Sequence, residues 1–402
     1  MKQKINNKYI LIYLIILLFL SYFFLYFKHQ VGNDSTISEW LINYEGGFTR
    51  RGVTGQIVIL FTRLFDTELR WTIFLFQSFS CTIYFLLLWH LFKNLKTNRI
   101  ITLAIFTPIF ILYPIAEIEV LARKEILVFI LLLIYLLIPS QNLLKNFFLA
   151  VFSFLSILIW EPTIFFIPIV FLYLIIENKI DKFDLKLIKI ISLISPGIFL
   201  SFYIIFNPLT DNQWDVMASV LKNEFGETCY MSCKLLKSKS SIIQQFQGNL
   251  GKYSLEVFLR YFLIIMIGFY PLLVLIKNSS VDNKNLIFFR NFDNLLLPFC
   301  IATSPVILLF AMGYDWGRWV NISYVILAII ILNLIKSQKI ILNLKSLEKN
   351  LIYKIKGKFF IIFFIIFCFG WNPKTVITGD IASFPGYRVP VKVFNKIIFG
   401  EY

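Results

Sequence analysis

Long, almost uncharged apolar runs recur along this chain at the length of a bilayer crossing, and no other feature restricts its fold as much. A helix rises 1.5 Å per residue, so about 20 apolar residues cover the roughly 30 Å hydrocarbon core. Such runs lie near residues 8–27, 72–92, 100–116, 125–139, 146–160, 162–177, 187–206, 256–276, 294–312, 318–335 and 358–371. They predict an all-α, polytopic integral membrane protein with about eleven transmembrane helices. A water-soluble fold would need far more surface charge than the 15% Asp, Glu, Lys and Arg present here, set against 58% hydrophobic residues. No internal repeat or linker divides the chain, so residues 1–402 read as a single transmembrane domain.

The stretch 53–66 is too short to cross and reads as an interfacial amphipathic helix or a half-helix entering the membrane. The first apolar run follows a basic start and lacks a small-residue cleavage site, which predicts an anchor rather than a removable signal. With the N-terminus in the cytoplasm, the basic loops at 93–99 and 336–358 fall inside, as the positive-inside rule requires. The same orientation puts a first external loop with its interfacial helix at 28–71 and a long external loop at 207–255. The short turns around Glu117–Glu125, Trp160-Glu161-Pro162 and Tyr314–Trp319 then emerge on that external face too. A net charge of +16 is explained by loop lysines and anionic head groups, and no basic stripe with interleaved aromatics points to nucleic acid.

The external segments carry the residues that chemistry would need. Residues 39–55 place Glu39, Asn43, Glu45, Arg50, Arg51 and four glycines directly after a span. Paired arginines with glycine-rich backbone are suited to holding a phosphate or diphosphate. Arg50 and Arg51 are therefore candidate diphosphate ligands, with lipid-phosphate anchoring or an ion pair to Glu39 or Glu45 as the alternative. Arg123 and Lys124 sit in a turn with Glu117, Glu119 and Glu125, and either add to the same site or form a solvated hairpin. Glu161 has no polar neighbour in sequence between Trp160 and Pro162, so it is a candidate general base or simply a hairpin apex. Glu45 and Asp315 are further candidate catalytic carboxylates. Asp315 and Arg318 lie three apart, where they could bind substrate or pair with each other. Trp160, Trp316 and Trp319 are candidate sugar-stacking faces, or else interface-belt residues.

Cys229 and Cys233 frame a short Cys-Tyr-Met-Ser-Cys segment in the long external loop, where a disulfide is plausible if geometry permits. With only His29 and His90 in the chain, neither suitably spaced, no metal site is expected. No P-loop, GxGxxG or Ser-His-Asp pattern occurs, and no cofactor is expected.

Asn43-Tyr44-x-x-Gly47-Phe48-x-Arg50-Arg51-Gly52-Val53-x-Gly55, Arg123-Lys124-Glu125-Ile126-Leu127, Trp160-Glu161-Pro162 and Asp315-Trp316-Gly317-Arg318-Trp319 resemble segments of multi-pass proteins of bacterial surface-polysaccharide synthesis. In size and layout the chain resembles the O-antigen or capsule repeat-unit polymerases of the Wzy type. That resemblance implies a metal-independent glycosyl transfer at the periplasmic face of the inner membrane, on an undecaprenyl-diphosphate-linked glycan. It implies external arginines on the diphosphate and a carboxylate that assists the attacking hydroxyl. Membrane lipids, and a chain-length regulator and flippase of the same pathway, are the partners it implies. The long loop 207–255 departs from the pattern in carrying lysines but no arginine. A glycosyltransferase of the GT-C type would use an acid of the first external loop, Glu39 or Glu45. A ligase to a lipid core and a lipid-linked oligosaccharide flippase are the remaining alternatives.

Overall fold

The computed structural model describes residues 7–31, 35–139, 144–234, 236, 242–282, 286–377 and 398. Among these the chain is mainly helical. Fourteen helices organise it: α1 (Asn7–His29), α2 (Gly52–Phe65), α3 (Leu69–Phe92), α4 (Arg99–Phe106), α5 (Glu125–Leu137), α6 (Leu144–Ile159), α7 (Ile167–Asn178), α8 (Leu185–Phe206), α9 (Asp211–Phe225), α10 (Leu255–Lys277), α11 (Leu296–Thr303), α12 (Ile307–Met312), α13 (Trp316–Lys336) and α14 (Gly357–Phe369). Six segments are long and apolar enough to cross a membrane: α1, α3, the 3-10 turn Glu161–Phe166 continued by α7, α8, α10 and α13. Shorter apolar helices occupy Gly52–Phe65, Glu125–Leu137, Leu144–Ile159, Leu296–Met312 and Gly357–Phe369. The molecule is thus a helical membrane protein.

Helix α13 is the axis of the bundle. Every side chain from Trp316 to Leu334 is buried, the pattern of a helix surrounded by others rather than facing lipid on one side. It packs on α3, α5, α7, α10 and α12. Peripheral helices show the opposite pattern. Helix α8, for example, exposes Phe199, Phe202, Tyr203, Ile205 and Phe206, apolar groups that only a bilayer would cover at no cost.

Three expected spans depart from simple helices: 294–312 is split by a 3-10 turn that holds Pro305, and proline also marks the two breaks that follow. The run 100–116 stops being helical at Phe106, because Pro108 drives Thr107 to an extended ψ of 139°. The broken backbone beyond it is tolerated because it is buried in protein: Asn321 Nδ2 donates to the carbonyls of Ile109 and Phe110 at 2.9 and 3.0 Å. At the other break, Pro162 follows Glu161 and the chain makes a 3-10 turn before α7 begins.

Helix α2 is buried along Gly52, Thr54, Gly55, Val58, Ile59 and Thr62 and turns Leu60, Phe61, Leu64 and Phe65 outward. An outward apolar stripe on a 14-residue helix suits an interfacial position. A two-stranded antiparallel ribbon, Ser279–Val281 with Ile340–Leu342, ties the segments after α10 and α13. It is a small addition to the expected all-α architecture.

Candidate active site

The loops at one end of the bundle bring most of the sequence candidates into one charged cluster. Glu39 follows a four-residue helix, Ser35–Ser38, and is held by its neighbour Trp40, whose Nε1 donates to the Ala122 carbonyl at 3.0 Å. Ala122 itself is left-handed, with φ 49°, and that bend delivers Arg123 to Glu39. Arg51 is also left-handed, with φ 61°, immediately before α2. Non-glycine residues in that region cost about 1–3 kcal/mol and persist only where surrounding contacts impose them. Arg318 lies in the first turn of α13, where Gly317 is required: a Cβ there would sit 1.9 Å from the Lys374 carbonyl oxygen.

Three guanidiniums converge on one oxygen. Glu39 Oε1 accepts from Arg123 Nη2 at 2.6 Å and from Arg318 Nη2 at 3.1 Å, and lies 3.8 Å from Arg51 Nη1. Arg318 also pairs with Glu125, and its Nη1 lies 3.5 Å from Asp315 Oδ2. Arg123 Nη1 reaches the same Asp315 oxygen at 4.0 Å. Arg51 clamps Glu161 with two bonds, Nε to Oε2 at 2.6 Å and Nη2 to Oε1 at 2.8 Å. Arg50 Nη1 stands 3.5 Å from Glu161. Lys124 donates to the Arg51 carbonyl. Arg50, Arg51, Arg123, Lys124, Arg318, Glu161 and Asp315 therefore share one site, as five cations and, with Glu39 and Glu125, four carboxylates.

Burial is the largest influence on the Glu39 carboxyl and pushes it upward, but Arg123, Arg318 and Arg51 together hold it well below the usual range. Burial pushes the Lys124 ammonium down to about 7, against the attraction of Glu39. Three cluster atoms are buried without a hydrogen-bond partner, Glu39 Oε2, Glu125 Oε2 and Arg123 Nε, as are the ring nitrogens of the stacked Trp160 and Trp319. Leaving such groups unpaired costs about 1–3 kcal/mol each, so the cluster has unmet capacity for polar contacts.

Several expectations need correction. Glu45 is not in the cluster: it accepts from Gln56 at 2.9 Å and from Arg63, which also binds Glu224 on α9. It belongs to a latch between the two loop segments. The glycines around Arg50 receive protein rather than leaving a phosphate cradle. Added Cβ atoms would strike Gln213 at Gly46 and Gly47, Tyr44 at Gly52, and the Ile42 carbonyl at Gly55.

The tryptophans are not open stacking faces. Trp160 is fully buried and stacks on Trp319 at 6.1 Å. Trp316 lies among Tyr253, Phe258, Tyr261 and Phe310. Glu161 does not stand isolated, because Arg51 reaches it across 110 residues. Glu39 and Glu125 stand at the centre of the site, whereas the sequence suggested Glu39 only as an ion-pair partner or the acid of a GT-C transferase, and Glu125 only as part of a charged turn. Their signal was position alone, at the start of a loop and of a helix.

Cys229 and Cys233 form a disulfide with Cα atoms 5.2 Å apart, within the usual span. Their loop docks on the first one through Ser38 Oγ to Ser232 Oγ at 2.8 Å and through Arg70 to Glu227. Among the described residues no group of three or more His, Cys, Asp or Glu could hold a metal ion.

Fold and site together define a helical multi-pass membrane protein with a buried, arginine-rich cluster at one end of its bundle. No family model, no curated protein and no solved structure matches the chain.

Proposed function

We propose that the chain is a metal-independent glycosyltransferase that polymerises undecaprenyl-diphosphate-linked repeat units at the periplasmic face of a bacterial inner membrane. One observation carries the reading: the side chains of Arg51, Arg123 and Arg318 meet at a single carboxylate oxygen, with Arg50 and Lys124 beside them. Guanidinium donors fixed in a buried setting are suited to the charge that grows on a departing diphosphate. In this reading the broken element 99–116 and four of the shorter apolar helices cross alongside the six long ones. With the N-terminus in the cytoplasm, as the positive-inside pattern suggests, these eleven crossings would leave the cluster outside.

Asp315 takes the part of the base. Its side chain is 28% exposed, against 1% for Glu39, 6% for Glu125 and 16% for Glu161. Glu161 is already occupied by Arg51 and serves to aim it. The acceptor hydroxyl oxygen attacks the anomeric carbon, the bond from that carbon to the diphosphate oxygen breaks, and the hydroxyl proton passes to Asp315. The energy comes from the sugar–diphosphate bond.

A GT-C transferase with a polyprenyl-phosphate sugar donor is the second reading. It is favoured by Glu39, an acid of the first long loop whose Oε2 has no hydrogen-bond partner.

The test is deletion in the native host followed by gel analysis of surface polysaccharide. The ladder should vanish while single repeat units persist, and an intact ladder would overturn the proposal. Arg51→Ala and Asp315→Asn should reproduce the loss with normal protein level, Asp315→Asn slowing transfer by about 10²–10⁴-fold. Single-sugar transfer from a monophosphate donor would select the second reading instead.

A further inference from the structure

A wide recess lies away from the charged cluster. It measures about 770 Å³, within the roughly 300–1,000 Å³ typical of ligand pockets. Its walls are apolar: Phe171 and Leu172 on α7, Pro298 and Ile301 on α11, and Phe288 and Phe292 from the segment before α11. Lys182 and Arg290 stand in its lining with Asp181 and Asn291. Arg290 Nη2 donates to the Asp181 carbonyl at 2.7 Å, which fixes the guanidinium at the rim. The Ile287 amide donates to the Ile180 carbonyl at 2.9 Å and ties the two rim segments together.

Its place in the fold identifies what could enter. Lys182 follows the end of one candidate span, Glu161–Asn178, and precedes the start of the next, Leu185–Phe206. The rim is therefore at head-group depth, at the end of α7 remote from Glu161. The recess also opens sideways, since Ile301, Phe288 and Phe183 are 58%, 52% and 76% exposed. Phe288 is left-handed, with φ 66°, a bend uncommon for a bulky residue.

We propose that this recess binds an anionic phospholipid of the bilayer, its phosphate between Lys182 and Arg290 and an acyl chain along Phe171, Leu172, Pro298 and Ile301. Charge complementarity selects that occupant. Two cations sit beside an apolar trough that opens to the lipid side, and juxtamembrane cations attract anionic head groups. The site is independent of the glycosyl-transfer reading, because no residue is shared with the cluster.

Native mass spectrometry of the full chain in mild detergent tests it, with phosphatidylglycerol, phosphatidylcholine and undecaprenyl phosphate supplied singly. Phosphatidylglycerol should be retained at least about tenfold over phosphatidylcholine, as two head-group cations imply. Lys182→Ala should weaken that preference, and Lys182→Ala with Arg290→Ala should abolish it. Ile301→Trp, which fills the trough from its exposed side, should reduce retention of the first lipid. Lys345→Ala with Lys349→Ala, exposed lysines outside the lining, should change nothing. Equal retention of the two phospholipids, an unchanged preference in the double rim variant, or stronger retention of undecaprenyl phosphate would each overturn the proposal.

Discussion

At the scale of single residues, the cluster is a contest between desolvation and pairing, and Lys124 is where desolvation wins. Its ammonium is fully buried, donates to the Arg51 carbonyl, and is surrounded by Glu39, Arg51, Glu161 and Glu125. Burial brings its pKa down to about 7, compared with roughly 10.4 in an unfolded chain. Between those values the unfolded chain holds a proton that the folded one has released, so stability increases as pH rises through the window. The gap corresponds to on the order of 5 kcal/mol. The midpoint of thermal unfolding in detergent should accordingly climb from pH 6.5 to 9, and Lys124→Met should flatten that climb. The same slope in both proteins would contradict the assignment. Glu39 works in the other direction. Its carboxyl is held below the usual range, so its contribution is complete above about pH 4.3 and fades only as acid protonates it.

At the scale of elements, the spans were legible in the sequence because hydropathy reports backbone cost: only a helix satisfies its own amides in hydrocarbon. Most of the long helices lie within a few residues of their apolar runs, for instance Leu185–Phe206 for 187–206 and Leu255–Lys277 for 256–276, whereas 100–116 is helical only as far as Phe106 before its break. What hydropathy could not reveal was where irregular backbone would be rescued by a partner distant in sequence, as Asn321 rescues Ile109 and Phe110. The glycines misled for a related reason. A glycine signals close approach, but not of what, and at Gly46 and Gly47 the visitor is α9 through Gln213. Gly317 is the sharpest instance, because α13 presses there on the segment after α14, with its amide donating to the Thr375 carbonyl at 3.1 Å. Gly317→Ala should separate those elements, cost roughly 1–3 kcal/mol through overpacking, and lower the thermal midpoint. Since Arg318 is the next residue, the variant should also displace the cluster's central guanidinium. An unchanged midpoint would show that the backbone has slack where the close contact implies none.

At the scale of the whole molecule, the candidate site became visible only once the bundle gathered loops from residues 39, 51, 123, 161 and 318 at a single end. Sequence nominated most of these positions because each is a charge at the mouth of an apolar run, where it costs least. It could not assign pairings, since Glu161 and Arg51 are 110 residues apart and Arg318 and Glu39 are 279 apart. The bundle also separates its charges into two ends: the cluster and its docked loop at one, and Lys336, Lys345, Lys349 and Lys354 near the other. Lysine-rich short segments are retained on the cytoplasmic side during insertion, so that second end should face the cytosol. Alkaline phosphatase, active only outside the cytosol, reports this directly when fused at chosen positions. Fusion after Gly226 should be active and fusion after Lys345 inactive, with a cytosol-dependent fluorescent fusion giving the reverse pattern. Activity at Lys345 with none at Gly226 would put the arginine cluster in the cytosol. A transfer that consumes externally displayed lipid-linked repeat units could not then be its chemistry.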